Sequence, residues 1–177
     1  MQILLVTGST RARSTNTASL RTIASLDPAT RLVDAIRELP PFDPDDDGER
    51  LPPAPAALRA AIAGADAVLF CTPEYAGTLP GSFKNLLDWT VGGGELDAKA
   101  CAWLTVGAIG RGSGAVATLR LVLNYVGAAI VEDACVAVEV RRDMVGDDGL
   151  VRDPGVRAEL LRAVAMLVNG AEDLRSL

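Results

Sequence analysis

Short apolar runs that recur between helix-like segments are the feature of this 177-residue sequence that most restricts its fold. The runs lack polar alternation and stop at glycine, threonine or proline, which is typical of strands buried on both faces. The predicted strands cover residues 3–6, 30–35, 67–71, 101–106 and 134–140. The predicted helices cover residues 18–26, 55–63, 81–89, 113–125 and 153–167.

Strands that alternate with helices form βαβ units, whose right-handed crossovers place helices on both faces of a parallel sheet. The length suits one α/β domain and no linker divides the chain, so we expect residues 1–177 to form a single unit. Ligands of open parallel sheets bind beyond the carboxyl ends of the strands. The loops after the first, third and fourth strands are therefore the candidate sites.

Composition excludes several classes of function. The chain has no histidine, which rules out Ser-His-Asp triads and His-rich zinc sites, so a cofactor is expected to carry any chemistry. Its net charge of −6 disfavours nucleic acid and anionic membranes as partners. Without a secretory signal or a membrane-spanning run, we expect a cytoplasmic protein. Cys71, Cys101 and Cys135 are expected to be buried free thiols.

The loop after the first strand, residues 7–17, combines hydroxyl groups and two arginines with the start of a helix. Such a loop suits a dianionic phosphate, since helix N-terminal amides and guanidinium groups both favour negative charge. It has neither the lysine of a nucleotide-binding P-loop nor the G-x-G-x-x-G pattern, so a terminal monophosphate fits better. The alternative is that Ser14 or Thr15 only caps the helix and the arginines are solvated.

The loops after the third and fourth strands are rich in proline and glycine. In residues 72–80, these residues fix a turn that can present backbone amides and the Tyr75 ring to a flat ligand. Residues 107–114 contain four glycines, as expected of a backbone that approaches a ring closely. Phe83, Leu86 and Leu87 are predicted to form the buried face of the following helix.

At these loops the sequence resembles the NADPH-dependent FMN reductases of the flavodoxin-like superfamily, whose relatives reduce quinones, chromate and azo dyes. The G-S-x-R-x-x-S-x-N signature lies at Gly8–Asn16, and the P-E-Y-N-x-x-x-P-G-x-x-K-N-x-x-D-W signature lies at Pro73–Trp89. Ala76 replaces the frequent asparagine of the second signature. The resemblance implies a flavodoxin-like three-layer sandwich around a five-stranded parallel sheet, with FMN as cofactor and NADPH or NADH as electron donor.

The resemblance also implies roles for individual residues. The FMN phosphate would contact Ser9, Arg11, Ser14, Asn16 and Thr17. The isoalloxazine ring would lie against Pro73, Glu74, Tyr75, Ala76 and Gly77, with its pyrimidine edge near Gly107, Ala108, Gly110 and Arg111. Arg111 could stabilise the reduced flavin, contact the 2′-phosphate of NADPH, or simply be solvated. Because the chemistry occurs at the flavin N5, no catalytic side chain is expected.

The resemblance implies a small oxidised acceptor, such as a quinone, a free flavin, an azo compound or a metal oxyanion. An electron-transfer flavodoxin is the main alternative, although aromatic residues make up only 4% of the chain and Tyr75 is the one obvious flavin neighbour. A flavin-free NAD protein and a scaffold without ligand are two others.

We expect a homodimer or homotetramer, partly because Trp89 is predicted to lie on a second flank of its helix, where a partner could cover it. The alternative is that Trp89 packs within its own chain, under residues 92–94. Tyr125 is predicted to be a packing residue.

Overall fold

A parallel sheet between two helical layers forms the molecule, which the computed structural model describes at residues 1–34, 36–48, 50–107 and 110–176. The strands are β1 (Ile3–Thr7), β2 (Thr30–Val33), β3 (Ala67–Cys71), β4 (Ala100–Val106), β5 (Ala129–Ile130) and β6 (Val136–Val138). The helices are α1 (Thr15–Leu26), α2 (Pro53–Ala63), α3 (Gly81–Asp88), α4 (Ser113–Tyr125) and α5 (Pro154–Arg175). The sheet order is β2-β1-β3-β4-β5, and β6 also pairs with β4.

The sheet separates two apolar cores. Ile3 and Leu5 of β1 belong to the core beneath α1 and α5, whereas Leu4 and Val6 belong to the core beneath α2, α3 and α4. Because both faces are covered, the strands need no polar alternation. The predicted three-layer sandwich is confirmed, and the carboxyl ends of β1, β3 and β4 lie side by side.

The predicted fifth strand at residues 134–140 is two short strands in the structure. Ala129 pairs with Ala100 and Val136 pairs with Leu104, so β5 and β6 lie along the same edge of β4. A 3₁₀ turn at Glu132–Ala134 interrupts them, with Ala134 fully buried. The apolar character of Ala134 therefore reflects burial in a turn rather than membership of a strand.

Helix α5 runs eight residues beyond its predicted end at residue 167. Asn169-Gly170 is an ordinary stop signal, yet the helix continues and buries Ala171. A Cβ at position 170 would collide with the Val131 side chain. Gly170 therefore allows close packing of α5 on the broken edge strand and does not end the helix.

Trp89 lies entirely inside its own chain, so its predicted place on an exposed flank is wrong. Its indole Nε1 donates to the Pro40 carbonyl at 2.9 Å, and its ring meets Phe42 edge-on with centroids 5.0 Å apart. Asn85 fixes the same segment, since its Nδ2 donates to the Pro40 carbonyl at 2.8 Å and its Oδ1 accepts from the Phe42 amide at 2.7 Å. The cover over Trp89 is the segment from Pro40 to Phe42.

A buried ionic cluster holds the neighbouring loops. Arg59 of α2 donates from Nε to the Trp89 carbonyl and from Nη2 to Asp47 Oδ1, each at 2.6 Å. Glu95 Oε1 lies 3.7 Å from Arg59 Nε, and the other Glu95 oxygen has no partner within the described residues. The Arg59 and Asp47 side chains are each only 11% exposed, so the pair is protected from solvent screening.

Two further predictions concern surfaces. Tyr125 is 84% exposed, so its predicted packing role is wrong, and Leu121 one turn earlier on α4 is 70% exposed. In the part of the chain that the structure describes, no helix is both long and apolar enough to cross a bilayer.

Candidate functional site

The loops that follow β1 and β3 touch each other at the carboxyl edge of the sheet. The Gly8 amide donates to the Cys71 carbonyl at 2.8 Å. A Cβ at position 8 would collide with Thr72 and with the Phe83 ring. Glycine is required here by this contact between loops, which brings the two predicted binding segments together.

Hydroxyl groups shape the loop after β1. Ser14 is the N-cap of α1, and its Oγ accepts from the Thr17 amide at 3.4 Å. Ser9 Oγ accepts from the Arg11 amide at 3.3 Å. Both serines are buried, and each hydroxyl that accepts from an amide still has its own proton to donate. The capping role and a phosphate-binding role of Ser14 are therefore compatible.

Asn16 and Thr17 are buried and brace the loop from beneath. Asn16 Oδ1 accepts from the Cys71 thiol at 3.3 Å, and the Thr17 hydroxyl shares a 2.9 Å hydrogen bond with Thr7. Within the described residues Asn16 Nδ2 makes no hydrogen bond, so it is available to an acceptor. The Arg11 and Arg13 side chains are exposed at the rim of the loop.

The three cysteines are poor candidates for reactive thiols. Cys71 and Cys101 are buried as predicted, whereas Cys135 is only partly buried. Burial raises the pKa of Cys101 to about 12 and that of Cys135 to about 11, and it also raises the pKa of Cys71. All three therefore stay protonated and weakly nucleophilic at neutral pH.

The loop after β3 contains a tight turn at residues 75–78. The Tyr75 and Thr78 backbones exchange hydrogen bonds of 3.0 and 3.1 Å. Ala76 and Gly77 have φ of 51° and 76°, the paired positive values of a type I′ turn. Asparagine tolerates this conformation better than alanine does. The replacement at position 76 thus changes backbone strain as well as removing a side-chain amide.

Glu74 joins this loop to α4. Its Oε2 accepts from the backbone amides of Gly114 and Ala115 at 2.7 and 3.0 Å. The N-cap of α4 is Gly112, which has no side chain to cap the helix, so Glu74 supplies that acceptor. The Thr78 and Thr118 hydroxyls add a second link of 2.8 Å. The Glu74 carboxylate therefore acts on the helix rather than pointing freely at a ligand.

The loop after β4 has left-handed glycines at the predicted positions. Gly107 and Gly110 have φ of 133° and 85°, and Arg111 is exposed. Ala108, which was predicted to contact the ring, lies outside the described residues. In the loop after β3, Pro73 is partly exposed and Tyr75 is exposed. These two side chains are therefore accessible to a ligand.

A cavity of about 600 Å³ adjoins the predicted phosphate loop. Its lining consists of residues 11–15, Ala18, Arg21, Arg142 and residues 145–149. Arg11 and Ser14 were predicted as site residues, whereas Arg142 was not. No local signal identifies Arg142, because it lies after β6 and meets the first loop and α1 only in the folded chain.

Comparison with known proteins places the chain in a family. A family model described as NADPH-dependent FMN reductase matches residues 1–143, and the chain belongs to that family. It is 37% identical over 93 residues to a quinone reductase of Escherichia coli strain K12, covering 50% of each chain. It is 37% identical over 119 residues to a 2-hydroxy-1,4-benzoquinone reductase of a Burkholderia species, covering 62% of this chain and 63% of the relative.

The fold has a solved counterpart in FerB, a flavoenzyme NAD(P)H:acceptor oxidoreductase of Paracoccus denitrificans. The TM-score is 0.78 at 24% identity, over 95% of this chain and 97% of FerB. The matched region spans only about half the length of the E. coli quinone reductase. The named relatives are oxidoreductases, and the family joins FMN with a reduced nicotinamide nucleotide.

The loop after β1 fits the phosphate of FMN. Two buried serine hydroxyls with free protons, the Arg11 guanidinium and the first amides of α1 are all donors, which is the set a dianion requires. No carboxylate of residues 7–17 opposes them. The type I′ turn at 75–78 offers backbone polar groups and one aromatic ring for a planar group.

Proposed function

We propose that this chain is an FMN-dependent oxidoreductase that transfers electrons from NADPH, or NADH, through bound FMN to a small oxidised acceptor such as a quinone. The observation that carries the proposal is the contact at Gly8, which joins the loop after β1 to the start of the loop after β3. Family membership and the fold support it. The physiological acceptor would be a quinone, a free flavin, an azo compound or a metal oxyanion.

The first loop would hold the FMN phosphate. The Ser9 and Ser14 hydroxyls would donate to it, Arg11 would close over it from the rim, and Asn16 Nδ2 would add a donor. Thr17 would act from beneath, since its hydroxyl is bound to Thr7 at 2.9 Å. Apart from the exposed Arg11, these side chains already take part in internal hydrogen bonds, which lowers the entropic cost of binding.

The loops after β3 and β4 would form the walls of the ring site, at residues 73–77 and at Gly107, Ala108, Gly110 and Arg111. FMN bound there would supply the redox chemistry, a two-electron transfer from the nicotinamide nucleotide to the acceptor. Each turnover converts one NADPH to NADP⁺ and one quinone to a hydroquinone, with one proton taken up. Since the Glu74 carboxylate is bound to two amides, that proton would come from solvent.

The decisive experiment uses the purified protein saturated with FMN. We expect a yellow 1:1 complex whose flavin absorbance bleaches on addition of NADPH and recovers on addition of 1,4-benzoquinone. A protein that binds no FMN would refute the proposal. Binding of FMN without reduction by NADPH or NADH would instead indicate the flavodoxin-type electron-transfer module.

A homodimer or a pair of dimers is part of this proposal, and the exposed apolar surface of α4 supports it. Leu121 and Tyr125 lie one helical turn apart and are 70% and 84% exposed. A second subunit would remove this apolar surface from water. A cytoplasmic location is also part of this proposal, since none of Cys71, Cys101 and Cys135 is paired with another described cysteine.

A further inference from the structure

The cavity beside the phosphate loop is strongly basic in an acidic protein. Four arginines line it, Arg11, Arg13, Arg21 and Arg142, against two carboxylates, Asp147 and Asp148. The whole chain carries a net charge of −6, so this concentration of positive charge is local. A cavity lined by arginines in such a protein favours an anionic ligand.

Two of the four arginines have no ion-pair partner among the described residues. Arg21 Nη2 is paired with Asp34 Oδ2 at 2.9 Å. Arg11 belongs to the proposed FMN phosphate site. In contrast, neither Arg13 nor Arg142 forms an ion pair with any described residue, and both side chains are exposed on the cavity rim. These two guanidinium groups, from two separate segments that line the cavity, remain after the FMN phosphate is accounted for.

The carboxylates of the cavity have other partners. Asp148 Oδ1 accepts from the Leu150 amide at 3.0 Å, which closes the turn. Asp147 Oδ2 lies 3.9 Å from Arg152 Nη2 at the surface. Both carboxylates thus have contacts within their own hairpin, and four guanidinium groups against two carboxylates leave the lining net positive.

The lining segment at residues 145–149 is attached to α1 through a buried contact. Residues 145–151 form a small hairpin in which Val145 pairs with Val151, and the Gly146 amide donates to the Leu150 carbonyl at 2.8 Å. Val151 is fully buried, and its amide donates to Thr22 Oγ1 of α1 at 2.9 Å. The position of this hairpin relative to α1 is thus fixed by a buried contact.

We propose that this cavity binds a second phosphate monoester, the 2′-phosphate on the adenosine half of NADPH, through Arg13 and Arg142. This inference rests on the proposed function and deepens it by assigning the donor's phosphate to a site. The volume of about 600 Å³ far exceeds one phosphate and falls within the usual 300–1,000 Å³ of small-molecule sites. Ala12, Ala18 and Val145 supply apolar lining for a ribose or a base.

Calorimetric titration of the FMN-saturated protein with adenosine 2′,5′-bisphosphate tests the assignment. We expect saturable binding, with 5′-AMP, which lacks the 2′-phosphate, at least tenfold weaker. Arg13→Ala and Arg142→Ala should each weaken binding of the bisphosphate about tenfold, the effect of losing a charge-assisted hydrogen bond. Arg162→Ala, at an exposed arginine of α5, is the matched control and should change nothing. In turnover, Arg142→Ala should raise the ratio of KM for NADPH to KM for NADH about tenfold.

Several results would overturn the inference. Absence of binding to the FMN-loaded protein is one, and equal binding by the Arg142→Ala and Arg162→Ala variants is another. If only the FMN-free protein binds the bisphosphate, the cavity belongs to FMN itself. If inorganic phosphate binds as tightly as the bisphosphate, or Arg111→Ala alone changes the KM ratio, the nucleotide assignment is wrong. Failure of the proposed function is distinct, because it appears as loss of FMN binding or of flavin reduction.

Discussion

Glu74 caps α4 from a distant loop, since its carboxylate accepts at 2.7 Å from the amide of Gly114, which lies 40 residues later in the chain. The contact joins the loop after β3 to the start of α4. A Cβ at position 114 would collide with the Gly77 carbonyl, so the two segments are as close as a glycine permits. One carboxylate therefore fixes both proposed walls of the ring site relative to each other.

Replacing Glu74 should affect stability and FMN affinity together. We expect Glu74→Ala to lower the free energy of unfolding by about 1–2 kcal/mol, the usual cost of losing an N-cap. Glu74→Gln keeps an oxygen acceptor and should recover part of the loss. Urea denaturation and FMN titration measure the two effects, with Glu159→Ala on the exposed surface of α5 as control. If Glu74→Ala matches that control in both measurements, the contact between Glu74 and α4 contributes neither to stability nor to FMN binding.

Ala76 should be a site where glycine stabilises the protein. Its φ of 51° is unfavourable for alanine, so Ala76→Gly is expected to raise the free energy of unfolding by about 0.5–1 kcal/mol. The same substitution at Ala57, an exposed helical position, should lower it by about 1 kcal/mol. Urea denaturation of the two variants gives the signs directly. Destabilisation by both would argue against the type I′ turn.

Arg11 should contribute to FMN binding without contributing to folding. We expect Arg11→Ala to weaken FMN binding by about 1.5–3 kcal/mol, because a charge-assisted hydrogen bond to the phosphate would be lost. The Arg11 side chain is exposed and does not pack in the core. The thermal midpoint of the FMN-free protein should not change. Arg31→Ala, at an exposed position of β2, is the control. Unchanged FMN affinity on fluorescence titration would remove Arg11 from the site.

The Arg59 cluster should be important for stability although it lies away from the proposed site. Arg59→Met would leave Asp47 and Glu95 without their cation in a site where the side chains are about nine-tenths covered. We expect a loss of about 3 kcal/mol in the free energy of unfolding. Lys84→Met breaks the exposed Lys84–Asp88 pair and should cost less than about 0.5 kcal/mol. Similar losses for both variants would mean that the cluster is solvated.

The α4 surface should mediate self-association. We expect light scattering on the FMN-loaded protein to give at least twice the 18.4 kDa of one chain. Leu121→Glu or Tyr125→Glu should shift the protein toward the monomer, because each places a charge on the proposed interface. Leu26→Glu, at a leucine that is 44% exposed on α1, should leave the mass unchanged. A monomeric mass for the unmodified chain would end the dimer proposal.

The sequence was most informative where local pattern determines structure. The bounds of α4 match the prediction at Ser113–Tyr125, and β3 matches at Ala67–Cys71, because apolar spacing within each segment suffices. A phosphate site in the first loop could also be proposed from its residue types, and the family signature named the individual residues. The roles of Glu74 and Arg142 could not, since each depends on a contact with a distant segment. Trp89 was misjudged for the same reason, because its cover comes from Pro40 and Phe42.

The broken strand at the edge of the sheet has a consequence for aggregation. Unpaired edge strands can recruit other chains through their free amides and carbonyls, and short or interrupted edges suppress this. In the described chain one edge strand, β2, has four residues, and the other edge is divided into β5 and β6 of two and three residues. Neither edge offers a long template for another strand, so crowding in the cell should not drive this protein toward sheet-extended fibres.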